Sequence, residues 1–309
     1  MLDDIVFDDV VGWVHSQVPV AGAIEVTRER PWSTVARVPI VGGVAWFKAC
    51  SPVQAFEPRL TAQLFARWPD LVPEVLGWDD ERAWLLTNDA GTLLRDVGNP
   101  PEVWEQLLPS YAELQRGETA HAEEHLAHGV PDLRVPALPG LYPELIRRGL
   151  PLDPGAEERL RAFEPMFVRW CEELAAHDLP ASIQHDDLHY GNVYLHSADP
   201  QWGEARVLDR GDSSIGHPFA SLVVTFRFLE RINGLHPADP WFARLRDAYL
   251  EPWGSGLTDV FELAVRVGRF AHAIAWIKQR EAIIDPAERA SFNDEYRLVL
   301  RRAVALIGD

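Results

Sequence analysis

Gln184-His185-Asp186-Asp187-Leu188-His189-Tyr190-Gly191-Asn192-Val193-Tyr194-Leu195 is the stretch on which the reading of this 309-residue chain turns. Tyr190-Gly191-Asn192 carries turn residues and is followed by the β-branched and aromatic run Val193-Tyr194-Leu195. The segment therefore reads as a loop that runs into a short strand. Arg206-Val207-Leu208 reads as the antiparallel mate of that strand, and Asp209 closes it. The hairpin is thus flanked by a carboxylate, an amide and a second carboxylate, at Asp187, Asn192 and Asp209.

Upstream, the pattern predicts more strands. Residues 24–27 alternate, residues 34–40 follow Pro31-Trp32-Ser33, and Gly42-Gly43 turns the chain into Val44-Ala45-Trp46-Phe47-Lys48. This is an antiparallel meander that ends in a lysine. Phe56, Leu60, Leu64 and Trp68 recur at every fourth residue and predict a helix over 56–68. Two further strands are expected over 75–78 and 83–87, around the turn Asp79-Asp80-Glu81, before Asn88-Asp89-Ala90-Gly91 breaks the pattern. Helical spacing of apolar residues then dominates, over 103–115, 156–176, 221–233, 241–250, 260–278 and 286–307, with residues 130–140 read as a loop. No internal repeat or low-complexity stretch interrupts this order.

Composition narrows the class. The acidic start Met1-Leu2-Asp3-Asp4-Ile5 lacks the basic and apolar regions of a signal peptide, and no run approaches the roughly 20 apolar residues of a membrane helix. Two cysteines, Cys50 and Cys171, cannot build a disulfide framework, so a soluble, cytoplasmic protein is expected. Net charge is −18. Residues 219–309 carry 12 acids and 12 bases, so the first 218 residues hold 47 − 12 = 35 acids against 29 − 12 = 17 bases, the whole of that excess. Such acidity argues against a nucleic-acid surface, which needs clustered cations. Nothing points to a membrane partner either, and the oligomeric state is not legible. Of 29 basic residues only Lys48 and Lys278 are lysines. A lysine kept in an arginine background marks a place for a compact point charge, and Lys48 lies on a strand.

Phosphoryl transfer requires a base or orienting group for the attacking hydroxyl, magnesium on the phosphates and a cation beside them. In the kinase arrangement the base precedes a metal-binding Asn by five residues, and a metal-binding Asp follows the next hairpin. Asp187, Asn192 and Asp209 have that spacing, and Lys48 is the expected phosphate partner. Glu57, at the start of the first predicted helix, can reach back to hold the lysine.

The whole pattern resembles the aminoglycoside phosphotransferase and small-molecule kinase family. Its hallmark stands here as His185-Asp186-Asp187-Leu188-His189-Tyr190-Gly191-Asn192 and Leu208-Asp209-Arg210-Gly211-Asp212, and the resemblance spans roughly residues 24–222. It implies an α+β, protein-kinase-like bilobal fold: an N-lobe over 1–87, an antiparallel sheet with one helix; a hinge at 88–91; and a mainly helical C-lobe over 92–309. It further implies a kinase that uses ATP, with GTP as the alternative, and Mg2+ to phosphorylate a hydroxyl of an aminoglycoside, amino sugar or amino alcohol. Asp187 would be the catalytic base, and Asn192 and Asp209 the metal ligands. Lys48 would pair with the phosphates and Glu57 with Lys48, while Thr87 and Asp89 would hold the adenine through their backbone. Ser33 would sit at the turn covering the phosphates, and His185 and His189 would brace the loop.

Three positions depart from the family pattern. Asp186 stands where many relatives have Gly and is expected to point to solvent. The phosphate-covering turn has no glycine, and His217 replaces an Asp. Asp212 is expected either to assist the metal or to close its own turn. Most tryptophans, among them Trp46, Trp68, Trp170 and Trp276, are expected in the core, with Trp241 and Trp253 as candidates for substrate contact. Two other readings remain: a non-catalytic nucleotide-binding protein of the same fold, and a zinc hydrolase using His185 and His189. The latter requires those two histidines on one face of a helix.

Overall fold

The alternating strands predicted upstream of the hinge form a single antiparallel sheet in the computed structural model. The structure describes residues 7–147, 151–196, 205–236 and 238–307. The acidic start at 1–5 lies outside them. In chain order the elements are α1 (Phe7–Gln17), β1 (Glu25–Arg30), β2 (Ser33–Ile40), β3 (Gly43–Cys50), α2 (Glu57–Arg67), β4 (Val75–Asp79), β5 (Trp84–Asn88) and β6 (Thr92–Leu93). They continue with α3 (Pro101–Glu118), α4 (Ala122–Ala127), β7 (Asp132–Leu133), α5 (Leu138–Arg147), α6 (Pro154–Ala175), β8 (Ser182–Gln184), β9 (Val193–Leu195), β10 (Ala205–Val207) and β11 (Ser214–Gly216). The last four are α7 (Leu222–Asn233), α8 (Pro240–Leu250), α9 (Thr258–Ala282) and α10 (Pro286–Val304). Among the described residues no helix is long and apolar enough to cross a membrane.

The chain divides into two compact units, Met1–Asn99 with Tyr190–Gly211, and Pro100–His189 with Asp212–Asp309. In the first, five strands run in the order β1-β2-β3-β5-β4. Phe47, Ala36, Val38, Trp84 and Leu86 pack under Val10 and Val14 of α1. Side chains alternate across a strand, so Lys48, next to Phe47, points to the opposite face from that core. Its register is fixed by Val35 on one side and Leu85 on the other. The predicted hairpin is present as β9 and β10, and β6 extends it into the three-stranded order β10-β9-β6. This pairing groups residues 190–211 with the sheet unit, although the sequence reading puts them in the C-terminal lobe.

The second unit is mainly helical, with a small sheet in the order β7-β11-β8. Its helices follow the predicted windows, with α4 and α5 in addition. The stretch read as a loop over 130–140 holds β7 and the beginning of α5; Pro139-Gly140, which looks like a breaker, occupies the first turn of a helix, where proline is tolerated. β8, which leads into the 185–192 loop, is held by a buried polar network. The Gln115 side-chain amide donates to the Ile183 carbonyl at 2.8 Å, and the Ser182 hydroxyl donates to the Gln115 carbonyl at 2.5 Å. Ser221 donates to Gln184 at 2.5 Å, and the His185 amide donates to the Tyr111 hydroxyl at 3.2 Å. These bonds, made away from water, hold the start of the loop.

Candidate functional site

Lys48 leaves the sheet on the face away from the α1 core and enters a cluster of opposite charge. Its Nζ lies 2.6 Å from Glu57 Oε2 and 2.5 Å from Asp209 Oδ1. Glu57 opens α2 and is 1% exposed. Its carboxylate also accepts from the Arg210 amide at 3.0 Å, and Cys50 Sγ lies 3.4 Å away. One glutamate thus holds both the lysine and the residue that follows Asp209. Burial acts against the Lys48 charge, but Asp209 and Glu57 prevail and hold its pKa above the ordinary lysine value. Burial pushes Glu57 up, while Lys48 pulls it back. Asp209 has φ +63°, the left-handed region that few side chains other than Asn and Asp tolerate.

This cluster lines a cavity of about 280 Å3 inside the first unit. Five of the sequence-predicted residues are brought together on its wall: Lys48, Glu57, Thr87, Asn192 and Asp209. Asn192 and Asp209 are joined through the backbone, where the Leu208 amide donates to the Asn192 carbonyl at 2.9 Å. Ser33 and Asp89 are not on that wall, and neither is Asp187. Ser33 opens β2, is 1% exposed and pairs with Cys50, so its side chain is not on the wall. Asp89 donates its amide to Val44 and accepts from the Trp46 indole at 2.9 Å; the next residue, Ala90, lines the cavity instead. The wall also holds Arg28, Trp46 and Tyr194, which the sequence did not single out for this role. Trp46 is half-buried at the cavity rather than a core residue, and Arg28 comes within 3.8 Å of Asp209 Oδ2.

Asp187 belongs to the second unit, in a segment that is loop rather than helix after β8. The geometry that zinc ligation by His185 and His189 requires is therefore missing. His185 Nδ1 accepts the Asp187 amide at 3.3 Å, and His189 Nε2 lies 3.2 Å from Asp187 Oδ2, with its ring stacked on Phe228. Both histidines brace the loop. Burial acts to raise the Asp187 pKa, but the His189 hydrogen bond and the fields of His189, His185 and Arg227 outweigh it. The carboxylate is held ionised, the form a proton acceptor needs.

Asp186 does not face solvent. It has φ +58°, is 9% exposed, and accepts from the Ser214 hydroxyl; burial raises its pKa to about 7. The positive φ explains why glycine suits this position. His217 caps the short 3-10 helix that follows it, accepting the Phe219 amide at 3.3 Å, a role an Asp carboxylate would also fill. Asp212 accepts from the Gln279 side chain of α9. Trp241 carries the Arg244 guanidinium over its ring at 4.2 Å, and Trp253 packs edge-on against Phe219.

No protein-family model matches the chain, and no curated protein sequence matches it either. Solved structures do. The GDP complex of wild-type aminoglycoside 2'-phosphotransferase-IIIa superimposes with a TM-score of 0.62 over 97% of each chain, at 16% identity. The fold is that of the small-molecule phosphotransferases. Choline kinase LicA from Streptococcus pneumoniae matches with a TM-score of 0.59, covering 96% of this chain and 99% of its own at 11% identity. Macrolide 2'-phosphotransferase type I matches at 0.61, covering 94% and 98% at 11% identity. The phosphotransferase fold accounts for the antiparallel meander and the mainly helical unit.

Proposed function

We propose that this chain transfers the γ-phosphate of ATP or GTP to a hydroxyl group of a small molecule. The observation that carries the reading is the contact of Lys48 with both Glu57 and Asp209 on the wall of a cavity that also presents Thr87 and Asn192. A lysine this heavily committed to two carboxylates is costly to bury, and phosphate oxygens are the ligands that give the arrangement a purpose. The GDP bound to a neighbour of the same fold supports a purine nucleotide as donor.

Asn192 and Asp209 supply only oxygen donors, which suits magnesium and not a soft metal. They would hold the ion, and its charge would offset that of the phosphates. Lys48 steadies the non-transferred phosphates, with Glu57 fixing its position. Asp187 accepts the proton of the acceptor hydroxyl as its oxygen bonds to the γ-phosphorus; the bond from that phosphorus to the bridging oxygen breaks, and the nucleoside diphosphate leaves. Its depressed pKa keeps Asp187 unprotonated at neutral pH, ready for that task.

The test separates binding from transfer. Asp187→Ala should lower turnover by about three orders of magnitude or more while nucleotide affinity, measured by calorimetry with magnesium, stays within about twofold. Asp209→Ala should abolish magnesium-dependent nucleotide binding and turnover together. Wild-type turnover in Asp187→Ala would overturn the assignment.

A further inference from the structure

A second cavity, of about 520 Å3, is lined by residues of α7, α8, α9, α10 and the α7–α8 loop, all within the helical unit. Phe226, Phe242 and Phe261 give it apolar walls, and four arginines reach it. Two of these are already committed: Arg302 lies 3.4 Å from Glu230, and Arg246 lies 2.8 Å from Asp247. Arg227 and Arg269 form no salt bridge among the described residues; the Arg227 guanidinium lies over the Phe228 ring. Burial, the largest of the influences on both, lowers their pKa.

Among the described residues no acid of the wall forms a salt bridge with either arginine, although the fields of Asp187 and Glu295 act on Arg227 and that of Glu230 on Arg269. Glu230 is held by Arg302, and Asp239 caps α8 by accepting the Trp241 amide at 3.0 Å. Glu262 is exposed. His272 lines the same cavity; it is 4% exposed, and neither ring nitrogen has a hydrogen-bond partner among the described residues. Burial holds this imidazole neutral, with a pKa of about 3, so it offers one donor and one acceptor. Buried polar groups are nearly always satisfied, and an unsatisfied one in the same cavity wall as two arginines without a salt bridge suits an anion. The field of Asp187 reaches both Arg227 and His272, which links the candidate base to this cavity.

We propose that this cavity is the acceptor site and that Arg227, Arg269 and His272 receive an anionic group, a carboxylate or a phosphate, of a hydroxylated substrate. The inference rests on the phosphotransfer reading for its role in catalysis but not for the ligand chemistry. It departs from the amine-bearing acceptors that the family resemblance implies. A cationic antibiotic or amino alcohol would meet the guanidinium groups of Arg227 and Arg269 here.

Calorimetry on the full chain with magnesium and a nonhydrolysable ATP analogue tests the assignment. The probes are a panel of hydroxy acids led by glycerate, a panel of sugar phosphates led by glucose 6-phosphate, and choline and kanamycin as cations. Binding within either anionic panel is expected, and which panel binds distinguishes carboxylate from phosphate. Arg269→Met and Arg227→Met should each weaken that binding about tenfold to hundredfold. Arg266→Met, exposed on the same helix, should leave it unchanged, and nucleotide affinity should persist in all three as the check on folding. Binding of choline or kanamycin with no anion bound, no binding by any anion, or anion affinity indifferent to both arginines would overturn the proposal. Arginine-dependent anion binding without phosphate transfer to that anion would leave the cavity assigned and overturn the phosphotransfer reading instead.

Discussion

That Lys48, Glu57, Asn192 and Asp209 would come together was legible in the sequence from their side-chain types and spacing. Arg28, Trp46 and Tyr194 were not. A strand's alternation tells which face a residue takes, but not which part of that face another segment will leave open. Asp186 is the residue whose sequence reading fails most instructively, since a carboxylate beside a loop ordinarily points to water. Its burial has a measurable consequence. The folded-state pKa is raised from 3.8 to about 7 by burial. Between those values the native chain binds a proton that the unfolded chain does not, so this group's contribution to stability falls as pH rises from about 4 to about 7. His217 and His272, each held neutral by burial with a pKa of about 3, act in the other direction, losing stability as pH falls below about 6.5. The comparison that isolates Asp186 is therefore a difference. Asp186→Asn keeps the shape, tolerates the positive φ and can still accept from Ser214. Relative to wild type, its unfolding free energy should rise across pH 4 to 7 by up to about 4 kcal/mol, then level off. Denaturant titrations at each pH check this, and parallel profiles for the two proteins would refute it.

At the scale of elements, the meander, α2 and the C-terminal helices were legible because their hydrophobic periods are strong and uninterrupted. α1 was not, because Asp8-Asp9 and Gly12 obscure the stripe that Val10 and Val14 bury. β6 was also missed. Two residues make no periodic pattern, and the strand exists only because β9 supplies a partner, with Thr92 opposite Leu195 and Leu93 opposite Tyr194. The chain enters β6 through Gly91, at φ +102°, where an added Cβ would run into the Leu195 carbonyl. The glycine predicted as part of a linker is thus also the point at which β6 can approach the hairpin. Gly91→Ala must take up a conformation that L-residues avoid and push the two strands apart. It should destabilise the protein by about 2 to 3 kcal/mol, seen as a lower denaturation midpoint at unchanged slope. If the β6–β9 pairing sets the position of Asn192, nucleotide affinity should fall as well. A variant as stable as wild type would show that the pairing contributes little.

For the whole molecule, the charge count divides the chain at the same level as the proposed chemistry. The first 218 residues hold the acidic excess, while residues 219–309 are neutral and rich in arginine, so an acidic pocket built from the distal helices was never well supported by composition. Sequence could not show the next step, that chain order and spatial grouping differ. Residues 190–211 return to the sheet unit after ninety residues of the helical one. Among the described residues, the proposed donor cavity is lined by residues of the first grouping and the proposed anion cavity by residues of the second. This makes ligand effects on local stability separable. Magnesium and nucleotide at about a hundred times the Kd stabilise the structure that binds them by about 2.7 kcal/mol. Amides in β1, β2, β3, α2 and residues 190–196 and 205–211 that exchange by opening of the sheet unit should slow by about a hundredfold. Those in α9 and α10, whose opening leaves the donor cavity intact, should change by less than about threefold; hydrogen exchange with and without nucleotide reads both. Equal slowing in the two groups would mean that the chain opens as one cooperative body, and slowing confined to α9 and α10 would put the nucleotide in the arginine-lined cavity and overturn the assignment of the two sites.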